Sequence, residues 1–288
     1  MNPILLLLLF VVISSAGGVA VKIALESYPP VFFTLLRFAI ATATIIPFLR
    51  KSPIFKPYQS SKLYIVSSLA VANVLLFAFG IQQSTIITSS IIYTAIPIVV
   101  GIISHVFLYR RYKRTELAGI GLGLAGALIV ILLPVAQGSG AVGGTLFGNI
   151  LLTLAMVSFA LYGVLSQPLQ KQYSKRDITG GFFILAAVTH ATLVIINLLQ
   201  KHPVLAGEPT VRATSAMIYS GVFGTTVAYL LHQKLIQKGG AELASFAFFL
   251  NPIASAILAV FLLGEHITPT LVLGASLTFI GVWLFNKK

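Results

Sequence analysis

Apolar residues in this chain come in long runs that short polar connections interrupt at regular intervals. Runs of about 20 residues, the length a helix needs to cross a bilayer, lie near 4–25, 31–49, 63–81, 86–108 and 117–135. Five more lie near 145–167, 180–199, 214–235, 241–263 and 269–285. The pattern predicts an all-α integral membrane protein of ten transmembrane helices. The connections are short and rich in Pro, Gly and Lys, so no soluble domain is left over.

Composition agrees: 57% of residues are hydrophobic, 9% are charged, and mean hydropathy is +0.98, outside the range of soluble domains. The formal net charge of +13 would suggest nucleic acid in a soluble protein, but here the charges follow the helix ends. With the N-terminus inside, the inner connections and the C-terminus carry 15 of the 19 basic residues, from Arg50 and Lys51 to Lys287 and Lys288, and the outer ones only Lys201 and Arg212. Both termini are therefore expected in the cytoplasm and the chain in the cell inner (plasma) membrane, with the lipid bilayer rather than nucleic acid as its partner. There are no cysteines, which excludes disulfides and thiolate chemistry. The apolar start resembles a signal peptide, but no Lys or Arg precedes it, and it is read as the first span.

The chain also repeats itself. "YTAIPIVVGIISHVFLYRRYKRTELAGIGLGLAG" aligns without gaps on "FFLNPIASAILAVFLLGEHITPTLVLGASLTFIG", placing Pro97 on Pro252. The same offset brings together Thr115 and Thr270, Gly119 and Gly274, Gly126 and Gly281, Gln82 and Gln237, and Ser90 and Ser245. The expected organisation is a first repeat over 1–135 and a second over 136–288. Five spans per repeat is an odd number, so the halves are inverted, as in transporters that rock around a midplane site. A proline inside a spanning helix is tolerated where the carbonyls it frees face a wet cavity. Pro97 and Pro252 accordingly read as hinges in cavity-lining spans.

These residues, with "RF" in span 2 (Arg37, Phe38) and "LGE…T…G" after span 9 (Leu263, Gly264, Glu265, Thr270, Gly274), resemble the drug/metabolite transporter superfamily, specifically its EamA-type ten-span permeases. The resemblance covers essentially the whole chain. It implies export or exchange of small polar metabolites, often amino acids, with spans 1, 3, 4, 6, 8 and 9 around a cavity and spans 5 and 10 at the periphery. The sequence departs from the family in two places: Leu108, Tyr109 and Arg110 replace the "LGE" in the first half, and span 1 lacks the family's common tryptophan.

Polar residues deep in spans are costly and mark function by default. Asn73, Tyr93, Thr94, Ser158, Tyr162, Tyr229 and Asn251 are such residues on spans that the resemblance assigns to the cavity, and are the predicted substrate contacts; Tyr162, Tyr229 and Phe248 would supply aromatic walls. Arg37 lies about 10 Å along its helix from Pro30 at 1.5 Å per residue. It would either attract a substrate carboxylate or phosphate or lock helices together, and the recurrence of "RF" in the family favours the lock. Lys22 is expected to snorkel or pair with Glu26. None of the six carboxylates falls mid-membrane, which disfavours an antiporter that binds proton and cation on one carboxylate. His190 is the expected deep histidine, on a peripheral span, while His105 and His232 are placed near the inner ends of spans 4 and 8.

Gly121, Gly123 and Gly126 spell GxGxxG, but within span 5 and with no preceding strand the dinucleotide reading fails. Gly119 and Gly123 instead make a GxxxG helix-packing face, and the glycine face of span 5 permits a homodimer without requiring one. No motif requires a metal or cofactor, and no nucleophile elbow or P-loop suggests an enzyme. The sequence thus predicts a secondary active transporter of a small polar metabolite, most readily an amino acid, working by alternating access. The rival readings are a transporter of small organic cations held by aromatic rings and, from another class, a lipid scramblase or structural membrane protein.

Overall fold

The structure, a computed structural model, describes residues 3–49, 52–55, 57–108, 113–137, 143–201, 203, 205 and 208–286. The basic residues Arg50, Lys51, Lys56, Arg110, Arg111, Lys287 and Lys288 lie outside them. The described residues are α-helical apart from short 3₁₀ turns, one π turn and connections. In chain order the helices are α1 (Pro3–Ala24), α2 (Pro30–Ile45), α3 (Pro57–Gln82), α4 (Ile86–Thr94), α5 (Ile96–Leu108), α6 (Arg114–Gln137), α7 (Leu146–Leu169), α8 (Lys175–Leu199), α9 (Val211–Gly221), α10 (Ala228–Ser245), α11 (Ala247–Leu263) and α12 (Pro269–Asn286). Eight segments are long and apolar enough to cross a membrane, and the segments Leu250–Leu263 and Pro269–Leu284 are shorter apolar helices.

Local chemistry sets the helix starts. Proline opens α1, α2, α3 and α12, where its missing N–H and fixed φ carry no penalty. Thr85, Thr145 and Thr210 cap α4, α7 and α9 by accepting the backbone N–H three residues on. Ser174 and Asp177 form a reciprocal capping box at α8.

Three predicted continuous helices are interrupted. The run 86–108 divides at Ala95 into α4 and α5. Pro97 therefore occupies the first turn of a new helix, where its missing donor costs nothing, rather than the interior of an old one. Between α9 and α10 the chain makes a π turn over Val222–Val227, in which the Thr225 and Thr226 hydroxyls donate to carbonyls five residues back, at 2.7 and 3.3 Å. Within the range of α10 the chain reverses at Gly239 and Gly240, the latter at φ 72°, a conformation natural to glycine. A second break at Phe246 precedes α11, which carries Pro252 in its interior.

Gly123 and Gly126 of α6 face α12. A Cβ on Gly281 would stand 2.3 Å from the Gly123 nitrogen, and one on Gly126 would stand 2.6 Å from the Gly274 carbonyl oxygen. This close small-residue contact is made within the chain. α3 packs on α7, α2 on α8, and α1 on α9 and α11. Large apolar side chains such as Phe261, 82% exposed, cover the outer surface, as lipid contact requires.

The connections gather at two ends. At one end, Tyr28 bonds Thr214 at 2.9 Å, Thr145 N–H donates to Gln83 O at 2.8 Å, and Lys22 pairs with Glu265 at 3.1 Å. At the other, Ser52 donates to Asp177, the Arg176 guanidinium lies 5.3 Å over Phe48, and Ala241 N–H donates to Gln167 Oε1 at 3.2 Å.

Candidate substrate cavity

Between α1, α2, α3, α4, α7, the π turn, α10 and α11 lies a cavity of about 140 Å³. Of the predicted contacts, Asn73, Tyr93, Tyr229, Asn251 and Arg37 line it. An aromatic belt runs around it: Phe77 to Tyr93 (5.8 Å between centroids), Tyr93 to Phe248 (6.1 Å), Phe248 to Phe159 (5.3 Å) and Phe159 to Tyr229 (6.2 Å). Offset and edge-on rings at these separations are the favoured arrangements.

Hydrogen bonds fix the polar residues across helices. Asn73 Nδ2 donates to Tyr93 OH at 2.9 Å and to Ala155 O at 2.8 Å, tying α3 to α4 and α7. Asn251 Oδ1 accepts from Ser14 and Ser15 at 3.2 and 3.3 Å, tying α11 to α1. Arg37 is 8% exposed; its Nε donates to Thr225 Oγ1 and its Nη2 to Gly224 O at 3.2 Å. The π turn presents both acceptors to it. α1 passes close against the same turn, for a Cβ on Gly17 would lie 3.2 Å from Gly224 Cα. No carboxylate is ion-paired with Arg37 among the described residues, so its charge faces the cavity wall uncompensated.

Three predicted contacts are turned away. Thr94 donates to Ser90 O in its own helix at 3.0 Å, Ser158 donates to Leu69 O at 2.7 Å, and Tyr162, fully buried, accepts from Gln233 Nε2 at 3.0 Å. They do not line the cavity, because each hydroxyl is used to hold packing between or within helices. Pro97 and Pro252 lie beside cavity positions rather than at the wall.

Sequence reasoning missed Ser14, Ser89, Ser90, Ser255 and His232 as lining residues. His232 is 3% exposed, enclosed by protein. Its expected place was near the inner end of span 8; the fold carries it under α1 and α7, between the rings of Phe10 (5.7 Å) and Phe159 (4.8 Å). His190 is buried outside the cavity, stacked on Phe38 at 5.6 Å with Nδ1 at 2.5 Å from Ala186 O. The side chain of His105 lies outside those described.

One end of the cavity is roofed by Val21 and Ile86, and directly above them sits the one ion pair among the described residues. Glu265 Oε1 accepts from Ile86 N–H at 2.7 Å and from Lys22 Nζ, and Oε2 accepts from Ile87 N–H at 2.9 Å. Lys22 also donates to Ser84 O at 2.5 Å. Lys22 thus pairs with Glu265, not with Glu26: α1 ends at Ala24, and Glu26 beyond it is exposed.

A lipid-facing helical bundle closed around a solute-sized polar and aromatic chamber belongs to the membrane transporters. The chain is a member of the EamA-like transporter family, whose model matches residues 1–132 and again 146–287. It is 25% identical to the uncharacterized transporter YyaM of Bacillus subtilis (strain 168), over 98% of this chain and 92% of that one. Identity to the uncharacterized inner membrane transporter YedA of Escherichia coli (strain K12) is 24%, over 93% and 87%. A crystal structure 17% identical in sequence superposes with a TM-score of 0.69, covering 98% of this chain and 95% of the other, and shares the fold.

Proposed function

We propose that this protein is a secondary transporter, an exporter or exchanger, of small polar metabolites with amino acids as the preferred class, and that it works by alternating access. The observation that carries this reading is the chamber itself, bounded by residues of both halves, Ser14, Arg37, Asn73 and Tyr93 from 1–135 and Tyr229, Phe248, Asn251 and Ser255 from 136–288. An amino acid's carboxylate would face Arg37, its ammonium would meet Asn and Ser oxygens and the faces of the tyrosines, and its side chain would lie on the aromatic belt. Drug-sized ligands occupy larger pockets, of about 300–1,000 Å³.

The fixed charge of Arg37 weighs against organic cations. At an effective dielectric near 20, a unit cation about 6 Å away would be repelled by about 3 kcal/mol, roughly a hundredfold in affinity.

Ten crossings in two inverted repeats fit the packing, because contacts come in symmetry-related sets. α3 on α7 has its counterpart in α9 on α1, and α1 on α11 has one in α7 on α4 and α5. The gathering of connections at two ends, with Lys201 and Arg212 at the end away from Lys175 and Arg176, supports cytoplasmic termini in the inner membrane. In this arrangement the Glu265 cluster closes the outer mouth, and the breaks at Ala95 and Phe246, near Pro97 and Pro252, are the hinges.

Counterflow in proteoliposomes loaded in turn with neutral amino acids, inorganic phosphate and choline tests the assignment. Saturable exchange confined to amino acids is expected; exchange of choline alone would overturn both the substrate class and the part given to Arg37.

A further inference from the structure

We propose that His232 is the proton-carrying residue of the chamber and that one proton crosses on its imidazole with each transport cycle. The proposal rests on the chamber being the transport site. Histidine is the side chain that titrates nearest neutral pH, and among the described residues lining the chamber His232 is alone in doing so. It is 3% exposed, and its Nδ1 is enclosed without a hydrogen-bond partner. Buried polar atoms are almost always paired, so an orphaned ring nitrogen at a cavity wall is an observation in need of a cause. A proton site that is filled and emptied supplies one.

The repeat sharpens the point. At the offset that relates Pro97 to Pro252, His232 stands on Phe77, just as Phe248 stands on Tyr93, and all four line the chamber. A phenyl ring is sufficient to build the wall at this place in the first half, so the imidazole in the second is not demanded by packing.

Among the described side chains around the ring none is a carboxylate or a second imidazole, while the Arg37 charge across the chamber disfavours the protonated form. α5, which also packs on α10, carries His105, whose side chain lies outside those described. α1 and α11 present Phe10 and Phe248, and α7 presents Phe159 with Tyr162 behind it. Tyr229 shares the histidine's own helix, and Arg37 and Tyr93 line the same chamber. α8 carries Lys175, Arg176 and Asp177 at its start, and its His190, outside the chamber, stacks on Phe38 with its Nε2 likewise buried and unpaired. No carboxylate lines the chamber. A charged imidazole in this aromatic enclosure costs most when the chamber is sealed and least when water enters. The proton would therefore load from water on one side while that mouth is open, onto a free ring nitrogen, and leave from the same ring to water on the other side after the rearrangement. No electrons move.

The test measures protons moved per amino acid transported, using a pH-sensitive dye trapped in proteoliposomes beside a radiolabelled amino acid that shows counterflow. Wild type is expected to move about one proton per amino acid, and H232Q and H232F, the latter matching the Phe77 position, to move none in whatever turnover remains. An unchanged ratio in either folded variant overturns the proposal, as does amino-acid flux without proton movement in wild type. Should a folded variant lack turnover, the proton released or taken up on amino-acid binding in detergent decides: loss of that exchange relative to wild type supports the assignment, and retention defeats it. Absence of any amino-acid counterflow in wild type would instead defeat the transport reading beneath it.

Discussion

The Glu265 cluster offers the most quantitative forecast. Glu265→Ala removes two charge-assisted hydrogen bonds to the Ile86 and Ile87 amides, each worth about 1.5–3 kcal/mol, and the pair with Lys22. The side chain of Lys22 is 26% exposed and that of Glu265 7%, and Lys22 keeps the Ser84 carbonyl, so the ion pair itself adds about 1 kcal/mol or less. Thr85 still caps α4 through Thr88 N–H at 3.0 Å, which preserves the helix, and water recovers part of the rest. A net loss of about 2–3 kcal/mol from the closed mouth is a shift of roughly 30- to 150-fold in the closed-to-open ratio. Since the chain has no cysteine, a single Ser90→Cys in the chamber wall reports opening, labelled by a membrane-impermeant thiol reagent added on the side of residues 264–268. Labelling of Glu265→Ala should be at least tenfold faster than that of the parent, with Glu265→Gln between. An unchanged rate in folded Glu265→Ala would show that this cluster does not hold the mouth shut.

Further outcomes follow from the same contacts. Arg37→Ala leaves Thr225 and Gly224 without their donor and should lower folded yield and shift thermal unfolding in detergent downward by several degrees, while Arg37→Lys, which cannot span both acceptors in one plane, should recover only part; full stability of the alanine variant would confine Arg37 to substrate binding. Gly281→Leu drives a side chain into the Gly123 backbone and should abolish folded protein, whereas Gly121→Leu, where an added Cβ meets nothing within 4 Å, should be tolerated. Equal yields would contradict the close α6–α12 contact.

What was legible in the sequence was what hydropathy and the repeat encode. The span positions were readable because lipid demands about 20 apolar residues wherever a helix crosses. Tyr93, Asn73, Tyr229 and Asn251 were readable because amides and hydroxyls at depth are costly. Depth alone cannot say which way a residue faces, and so Thr94, Ser158 and Tyr162 were grouped with them although their hydroxyls are spent on packing. The break at Ala95 moved Pro97 from helix interior to helix start. The π turn left no signal, since Thr225 and Thr226 are ordinary spanning residues until their hydroxyls bond five residues back. The partner of Lys22 was hidden for another reason: Glu265 lies 243 residues away, and local spacing favoured Glu26, which lies beyond the end of the helix. His232 was left off the cavity because its position along span 8 says nothing of the rings of Phe10 and Phe159, on α1 and α7, that fold over it.

The most direct test of the chamber as the transport site is amino-acid counterflow by Tyr93→Ala and Asn251→Ala beside wild type, each matched for folded protein. Both residues line the chamber from opposite halves, and their loss is predicted to reduce flux at least a hundredfold without lowering yield. Wild-type flux in both variants would place the solute elsewhere.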